Sequence, residues 1–322
     1  MKAVIVDQQT KSLVIGDYHE PQLGDNDVLI ENKATSLNRM DILQKKGQYP
    51  VPKGASKILG VDCAGIIIKV GKNVSKFKEG DEVFGLLQGG GYAQFCSNHQ
   101  DLFWHKPSNL SFEQASSIPE VFLTAYQALF TIGSVSPNKK VLIHAGASGV
   151  GSAALQICKL IGNTPYFTAG SDEKISFSKK LGGVTGINYR KEDFSETIKE
   201  PVDLILDFIG RDYFNKNLSL LNKSGKLIII SFLSGPEVEK VDLSLILRNW
   251  LRIEGTTLRA RDHDYRVKLM QDCGNLLLPA LNNGQIIPTI YDSFSWSEAN
   301  KAHEIMEKNQ NMGKIVLRID QC

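Results

Sequence analysis

Between a β-branched apolar run, Val141-Leu142-Ile143, and a mostly apolar segment over residues 152–161 lies the string Gly146-Ala147-Ser148-Gly149-Val150-Gly151. Strand, small-residue turn and helix in that order make an anion site. The N–H groups of a helix's first turn have no intrahelical acceptor, and the helix dipole adds positive potential there. The anion suited to this turn is a diphosphate. Gly146 is expected to allow the tight turn, and Gly151 to let the helix lie close to the strand. Ser148 stands where G-x-G-x-x-G has its middle glycine, and its hydroxyl can donate to a phosphate oxygen. The same residues also suit a plain strand-to-helix turn. No Gly-Lys-Ser/Thr follows, which excludes a nucleoside-triphosphate loop.

The second strand of this region ends Thr168-Ala169-Gly170-Ser171, with no acid before Asp172 and with Lys174 just beyond. A site for NAD would carry an acid there to hold the ribose diol. Ser171 can instead bond a 2′-phosphate and Lys174 neutralise it, with Tyr189 and Arg190 at the end of the third strand completing the pocket. The pattern points to NADP. The alternative is that Ser171 is a helix N-cap and Lys174 a solvated charge.

These residues need a sheet behind them. From residue 141 strands alternate with helices, with strands over 165–168, 186–189, 202–208, 226–232 and 253–258. Helices are expected over 121–131, 173–181, 194–199 and 214–221. Strands buried on both faces, joined by crossover helices, predict a parallel, doubly wound sheet. The first 120 residues read as β-rich, with strands over 2–6, 28–34, 64–70, 82–86 and 93–97 and a short helix within 36–46. Beyond the alternating region come a helix over 265–281, a capping box at Ser295-Trp296-Ser297-Glu298 opening another helix, and a closing strand over 314–319. The fold class expected is α/β.

At 322 residues about two domains are expected. The net charge of +2 gives no electrostatic case for nucleic acid or an anionic membrane. No apolar run approaches the roughly 18 residues that span a bilayer. Asp7 interrupts the start where a secretory leader would be apolar. Cys63, Cys96, Cys158, Cys273 and Cys322 form no C-x-x-C pair, so buried thiols in a reducing, cytoplasmic compartment are expected. The six histidines are dispersed, and no His/Cys/Asp/Glu cluster has ligand spacing. His144, on a strand, reads as a core histidine bonded to backbone.

Six segments carry a resemblance that runs the length of the chain: SLNRMDILQKKGQYPVPKGASKILGVDCAG (36–65), GDEVFGLLQGGGYAQF (80–95), LIHAGASGVGSAALQ (142–156), TAGSDEK (168–174), INYRKEDFSE (187–196) and MGKIVL (312–317). Together they resemble the zinc-free quinone oxidoreductase branch of the medium-chain dehydrogenase/reductases. Within it they are most similar to the tumour-suppressor-inducible group, whose turn also has serine at the middle glycine position. The resemblance implies a GroES-like β-rich catalytic domain (1–121 and 260–322) and a Rossmann doubly wound parallel-sheet domain (122–259), with NADP(H) in the cleft. It implies a homodimer through Rossmann edge strands, near 254–258. Asn38 and Val61 stand where zinc relatives have a cysteine and a histidine ligand, so no metal is expected. Asn38, Asp41 and Tyr49 lie where the family lines the nicotinamide and substrate pocket. Ser148, Gly149, Val150, Ser171, Lys174 and Tyr189 lie where it holds phosphates and ribose. Phe208, Gly210, Phe232, Leu233, Gly313 and Lys314 lie where it flanks the nicotinamide.

The activity so implied is NADPH-dependent reduction of quinones by hydride transfer, without metal. Pro50 and Pro52 stiffen the loop carrying Tyr49, whose phenol can stack on a flat quinone and bond its oxygen, or else form an apolar lid. Asn38 suits a positioning role, since its amide is no acid. Two other readings are a 2-alkenal or enoyl-thioester reductase, with Arg248, Arg252, Arg259 and Arg261 as a basic rim, and a crystallin-like role with RNA binding. The near-neutral charge weighs against RNA.

Overall fold

The computed structural model describes residues 1–320, so Cys322 lies outside the described residues. The chain divides into two compact units, residues 1–121 with 259–322, and residues 122–258.

The first unit opens with β1 (Lys2–Val6) and β2 (Leu13–Asp17), paired antiparallel. β3 (Asp27–Ser36) leads into α1 (Arg39–Lys45), and then come β4 (Asp62–Val70), β5 (Glu82–Leu86), β6 (Phe95–His99), β7 (Phe103–His105) and α2 (Phe112–Ser116), while α3 (Pro119–Tyr126) starts in this unit and ends in the second. β3 alternates buried and half-exposed residues over most of its length, as a strand with one face on a core must.

In the second unit β8 (Lys140–Ile143), α4 (Gly149–Leu160), β9 (Thr164–Ala169), α5 (Asp172–Lys180) and β10 (Thr185–Asn188) alternate as expected. α6 (Phe194–Thr197), β11 (Val202–Asp207), α7 (Phe214–Leu220), β12 (Leu221–Ile229), α8 (Leu243–Asn249) and β13 (Arg252–Gly255) follow. The six strands are parallel, in the order β10-β9-β8-β11-β12-β13. The order reverses between β8 and β11, and the carboxyl ends beside that point are where such sheets bind ligands. Phe167 of β9 is fully buried and walled by glycine. A Cβ on Gly146, Gly183 or Gly186 would lie 2.8, 2.3 or 2.4 Å from its ring.

The chain then returns to the first unit as α9 (His263–Asn282), β14 (Ile290–Ser295), α10 (Ala299–Glu307) and β15 (Lys314–Arg318). The sheet there has the order β14-β15-β3-β4-β5-β7, with β6 also on β3. Val28, Ile30, Cys63, Ile67, Val83 and Cys96 fill one core, and Val4, Leu37, Ile42, Tyr92, Trp296 and Leu317 another. Tyr92 donates to or accepts from His303 at 3.1 Å inside the second. Cys63, Cys96, Cys158 and Cys273 are buried thiols.

Several expectations need correction. β2, β7, β14, α2 and α8 have no counterpart in the sequence reading. Ser295 caps its own 3₁₀ turn (Trp296–Glu298) by accepting from Ser297 and bonds Asp320, so the expected Ser295–Glu298 box does not form. His144 bonds side chains, Thr168 Oγ1 at 3.1 Å and Asn217 Oδ1 at 2.7 Å, not backbone. β12 stops at Ile229, leaving Phe232 in the loop beyond.

Candidate functional site

In the first unit the chemistry gathers where β3 ends. Asn38 is the N-cap of α1, and its backbone N–H donates to Asp41 Oδ2 at 2.8 Å. Asp41 Oδ1 accepts from the Gly60 N–H at 3.0 Å, and the side chain is buried. Burial pushes the Asp41 carboxyl up to about 6, against the pull of those two N–H groups and of Lys314.

The Asn38 carboxamide lies between opposite charges. Its Nδ2 donates to Asp62 Oδ2 at 2.7 Å, and its Oδ1 accepts from Lys314 Nζ at 2.7 Å. Lys314 Nζ also reaches the Leu37 carbonyl at 2.8 Å and Asp62 Oδ2 at 3.3 Å. Ser36 Oγ donates to the same Asp62 oxygen at 2.7 Å, and the Glu120 N–H, in the first turn of α3, donates to Asp62 Oδ1 at 2.7 Å. Asp62 is 0% and Lys314 3% exposed. Asn38 and Lys314, expected on the substrate and the cofactor side respectively, are thus bonded to one another. Gly313 precedes Lys314 at φ 75°, and a Cβ there would lie 2.5 Å from the Thr289 carbonyl.

Tyr49 is placed by the way α1 ends. Lys46 is the C-cap, Gly47 follows at φ 74°, and the N–H groups of Gly47 and Gln48 donate to the carbonyls of Gln44 and Leu43. That is a full Schellman closure, which turns the chain and leaves Tyr49 half-buried. The Arg259 guanidinium lies 5.8 Å from the Tyr49 ring centroid, at the edge of cation–π range. It is fixed by bonds to Gln44 Oε1 at 2.6 Å and twice to the Gln88 carbonyl, at 2.9 and 2.6 Å. Burial raises the Tyr49 phenol above its usual range, Glu120 adds to this, and Arg259 opposes it. Arg259, 3% exposed and turned inward, is no part of a basic rim, and Arg261 stacks on Tyr265 at 4.6 Å.

In the second unit the glycine turn is a cradle with no spare room. Ser148 is the N-cap of α4, accepting from the Gly151 N–H at 3.1 Å. A Cβ on Gly151 would lie 2.3 Å from the Ala145 carbonyl, which explains the glycine. The left-handed residue of the turn is Ala145, at φ 50°, and not Gly146, whose lack of a side chain makes space for Phe167. The first-turn amides of Gly149 and Val150 remain for an anion outside the helix. This fits a diphosphate at the carboxyl end of β8.

At the ends of β9 and β10, Ser171 caps α5, accepting from the Lys174 N–H at 3.2 Å. The Tyr189 hydroxyl lies over Gly170, 2.5 Å from where a Cβ would sit. Asp172, the nearest acid, is taken up by Lys191 at 2.5 Å and Asn188 Nδ2 at 2.8 Å. Ser171 and the Tyr189 hydroxyl therefore lie at the ends of adjacent strands, with the Asp172 carboxylate taken up by Lys191.

At the ends of β11 and β12 the structure brings Phe208, Gly210, Phe232 and Leu233 together. The Leu233 N–H donates to the Phe208 carbonyl at 3.1 Å, and a Cβ on Gly210 (φ 82°) would lie 2.8 Å from Phe232 Cβ. Phe232 and Leu233 are more than half exposed. Asp207, buried at the end of β11, binds the Ile209 and Gly210 N–H groups at 2.7 and 3.2 Å, and burial lifts its carboxyl to about 6. Among the described residues no three His, Cys, Asp or Glu side chains group as for a metal, and no helix is long and apolar enough to cross a membrane.

Sequence reasoning missed Asp62, Ser36 and Asp207, and gave Arg259 another role. A signal existed for the two acids. Each stands at the end of a largely apolar strand, and an acid so placed is seldom buried without partners.

Both units have known counterparts. Residues 24–116 match the alcohol dehydrogenase GroES-like domain, and residues 149–272 the zinc-binding dehydrogenase family. Quinone oxidoreductase 1 of Escherichia coli is 31% identical over 301 residues, covering 91% of each chain. The crystal structure of an E. coli quinone oxidoreductase complexed with NADPH superposes with a TM-score of 0.86, at 27% identity and 99% coverage of both chains. The synaptic vesicle membrane protein VAT-1 homolog of Danio rerio is 29% identical over 92% of this chain, which spans 65% of that protein. A GroES-like unit and a parallel-sheet Rossmann unit in one chain define an oxidoreductase of the medium-chain class. The chain belongs to the quinone oxidoreductase-like family of the medium-chain dehydrogenases/reductases.

Proposed function

We propose that the protein reduces quinones with NADPH and without a metal. The observation that carries the cofactor choice is the group Ser171, Lys174 and Tyr189, where the first acid after the strand, Asp172, is neutralised by Lys191. NADPH, when bound, supplies a hydride to an electron-poor carbonyl system. The first-turn amides of α4 and Ser148 would hold its diphosphate, the Ser171 group its 2′-phosphate, and the loops at Phe208–Gly210 and Phe232–Leu233 its nicotinamide end. Tyr49 orients the acceptor by stacking and by a hydrogen bond to its oxygen. A quinone becomes aromatic on reduction and its product is a stabilised phenolate, so no Lewis acid is needed. Asn38 and Val61 at the ligand positions of zinc relatives support this, as does the Asn38 amide being bonded to Asp62 and Lys314.

The same reading places the protein in the tumour-suppressor-inducible branch, on the strength of Ser148, and in the cytoplasm. It makes the protein a homodimer through β13, an edge strand whose Arg252, Glu254 and Gly255 are exposed. The test is turnover of ortho- and para-quinones, alkenals and enoyl thioesters with each nicotinamide. Quinone reduction favouring NADPH is expected, and alkenals or thioesters as the better acceptors would overturn it. A charge-assisted contact is worth about 1.5–3 kcal/mol, so Lys174→Ala should weaken NADPH by roughly 10- to 150-fold and leave NADH almost unchanged. Equal weakening of both cofactors would remove Lys174 from the 2′-phosphate site.

A further inference from the structure

We propose that Asp62 and Lys314 are positioning residues for the acceptor side of the site, and that Lys314 is not a cofactor ligand. An ammonium has three donors. Those of Lys314 meet three protein acceptors, the Leu37 carbonyl, Asn38 Oδ1 and Asp62 Oδ2, in a place 3% exposed. None is left over for a phosphate or a nicotinamide amide. Asp62 is equally committed, with Ser36, Asn38 and Lys314 on one oxygen and the Glu120 N–H on the other. The pair therefore gathers four separate stretches of chain, the end of β3, the start of β4, the first turn of α3 and the first residue of β15.

The charges also give the Asn38 carboxamide one orientation. Its NH₂ faces a carboxylate and its oxygen an ammonium, and the flipped amide would oppose like to like at both ends. Asn38 is in turn the N-cap of α1, whose far end closes through Gly47 onto Tyr49. A buried ion pair adds little net stability over an apolar pair of similar volume, but leaving one partner unpaired is costly. What the pair fixes is the starting geometry of α1, and through it the place of Tyr49. This rests on the reading above in taking Tyr49 as the acceptor contact.

The experiment uses the full chain with Lys314→Met and with the charge-neutral double variant Asp62→Asn/Lys314→Met. Three quantities are measured: NADPH affinity by fluorescence titration, kcat and KM for a quinone, and the NMR signal of the Asn38 side-chain NH₂. Lys314→Met should lower kcat/KM for the quinone at least tenfold, move the Asn38 signal, and leave the NADPH Kd within twofold. The double variant should recover part of that loss, because no carboxylate is left unpaired. Should Lys314→Met fail to fold, the double variant carries the same measurements. A tenfold weaker NADPH with the Asn38 signal unmoved would make Lys314 a cofactor ligand and overturn the proposal. Unaltered quinone kinetics in a folded variant would overturn it too. If the wild type reduces no quinone, the functional reading falls, while the affinity and the Asn38 signal still decide whether Lys314 is an internal tie.

Discussion

Tyr49 and Arg259 show how a half-buried phenol can be held without being spent. Arg259 lies under the Tyr49 ring and gives its own hydrogen bonds to Gln44 and Gln88, so the Tyr49 hydroxyl keeps its capacity for an acceptor. Tyr49→Phe keeps the ring and removes that capacity. A bond of about 0.5–1.5 kcal/mol should be lost, roughly two- to twelvefold in kcat/KM with quinones. Kinetics identical to wild type would leave Tyr49 an apolar lid, and complete loss would make it an obligatory acid. At this scale the sequence pointed to Asn38, Asp41 and Lys314 as separate site residues. Their mutual bonds were out of its reach. Residues 38, 62 and 314 are brought together by sheet pairing, and nothing in their spacing records that.

Among the elements, the end of α1 controls the site most directly. Gly47 has open space where a Cβ would go, so substitution there meets no clash and only the φ of 74°. Gly47→Ala should cost about 1–2 kcal/mol of stability, read in denaturant unfolding. Quinone KM should rise with it, because the Schellman closure sets the Tyr49 loop. The elements legible in the sequence were those with a clear apolar signal, the alternation of β3 and the apolar runs of α4 and β11. Those missed lacked it for identifiable reasons. β2 exposes Val14 and Ile15, so its apolar run does not mark a buried face. β7 has three residues, and half of β14 (IYDSFS) is polar, with no regular alternation. α8 exposes Leu243 and Leu247, at 70% and 77%, and offers no buried stripe. The glycine turn was read correctly as strand-turn-helix. The reason for Gly146 was not, because its neighbour Phe167 lies in another strand.

The molecule as a whole carries opposed titrations. Burial holds His144 at about 4 and His303 at about 3, below the ordinary imidazole range. Their contribution to stability is therefore complete above about pH 6.5 and is lost as the pH falls through 4 toward 3. Burial raises Asp41 and Asp207 to about 6, so the folded state holds their protons more tightly than the unfolded chain. Their effect has the other sign, and stability falls as pH rises from about 4 to 6. The two pairs oppose one another between pH 4 and 6, and below pH 4 His303 is the one of the four still titrating, alongside carboxylates that their lysine partners hold low, such as Asp193. The apparent Tm should thus change little from pH 6 to 4 and fall below that. His303→Gln should soften that drop, and a curve parallel to wild type would show that His303 does not contribute to it.

Phe167 ties three distant glycines into one inherited unit. Gly146 lies in the turn before α4, Gly183 in the turn before β10 and Gly186 in β10 itself, yet each is crowded by the same ring. Their tolerance to change is therefore epistatic, and the order of events matters. Alanine arriving first at any of the three meets the ring, whereas a smaller residue arriving first at 167 takes the ring away from all three and leaves Gly183 and Gly186 facing the Ser178 carbonyl and Ile175 Cγ2, at 3.0 and 2.9 Å. A lineage leaving this arrangement has its first door at position 167.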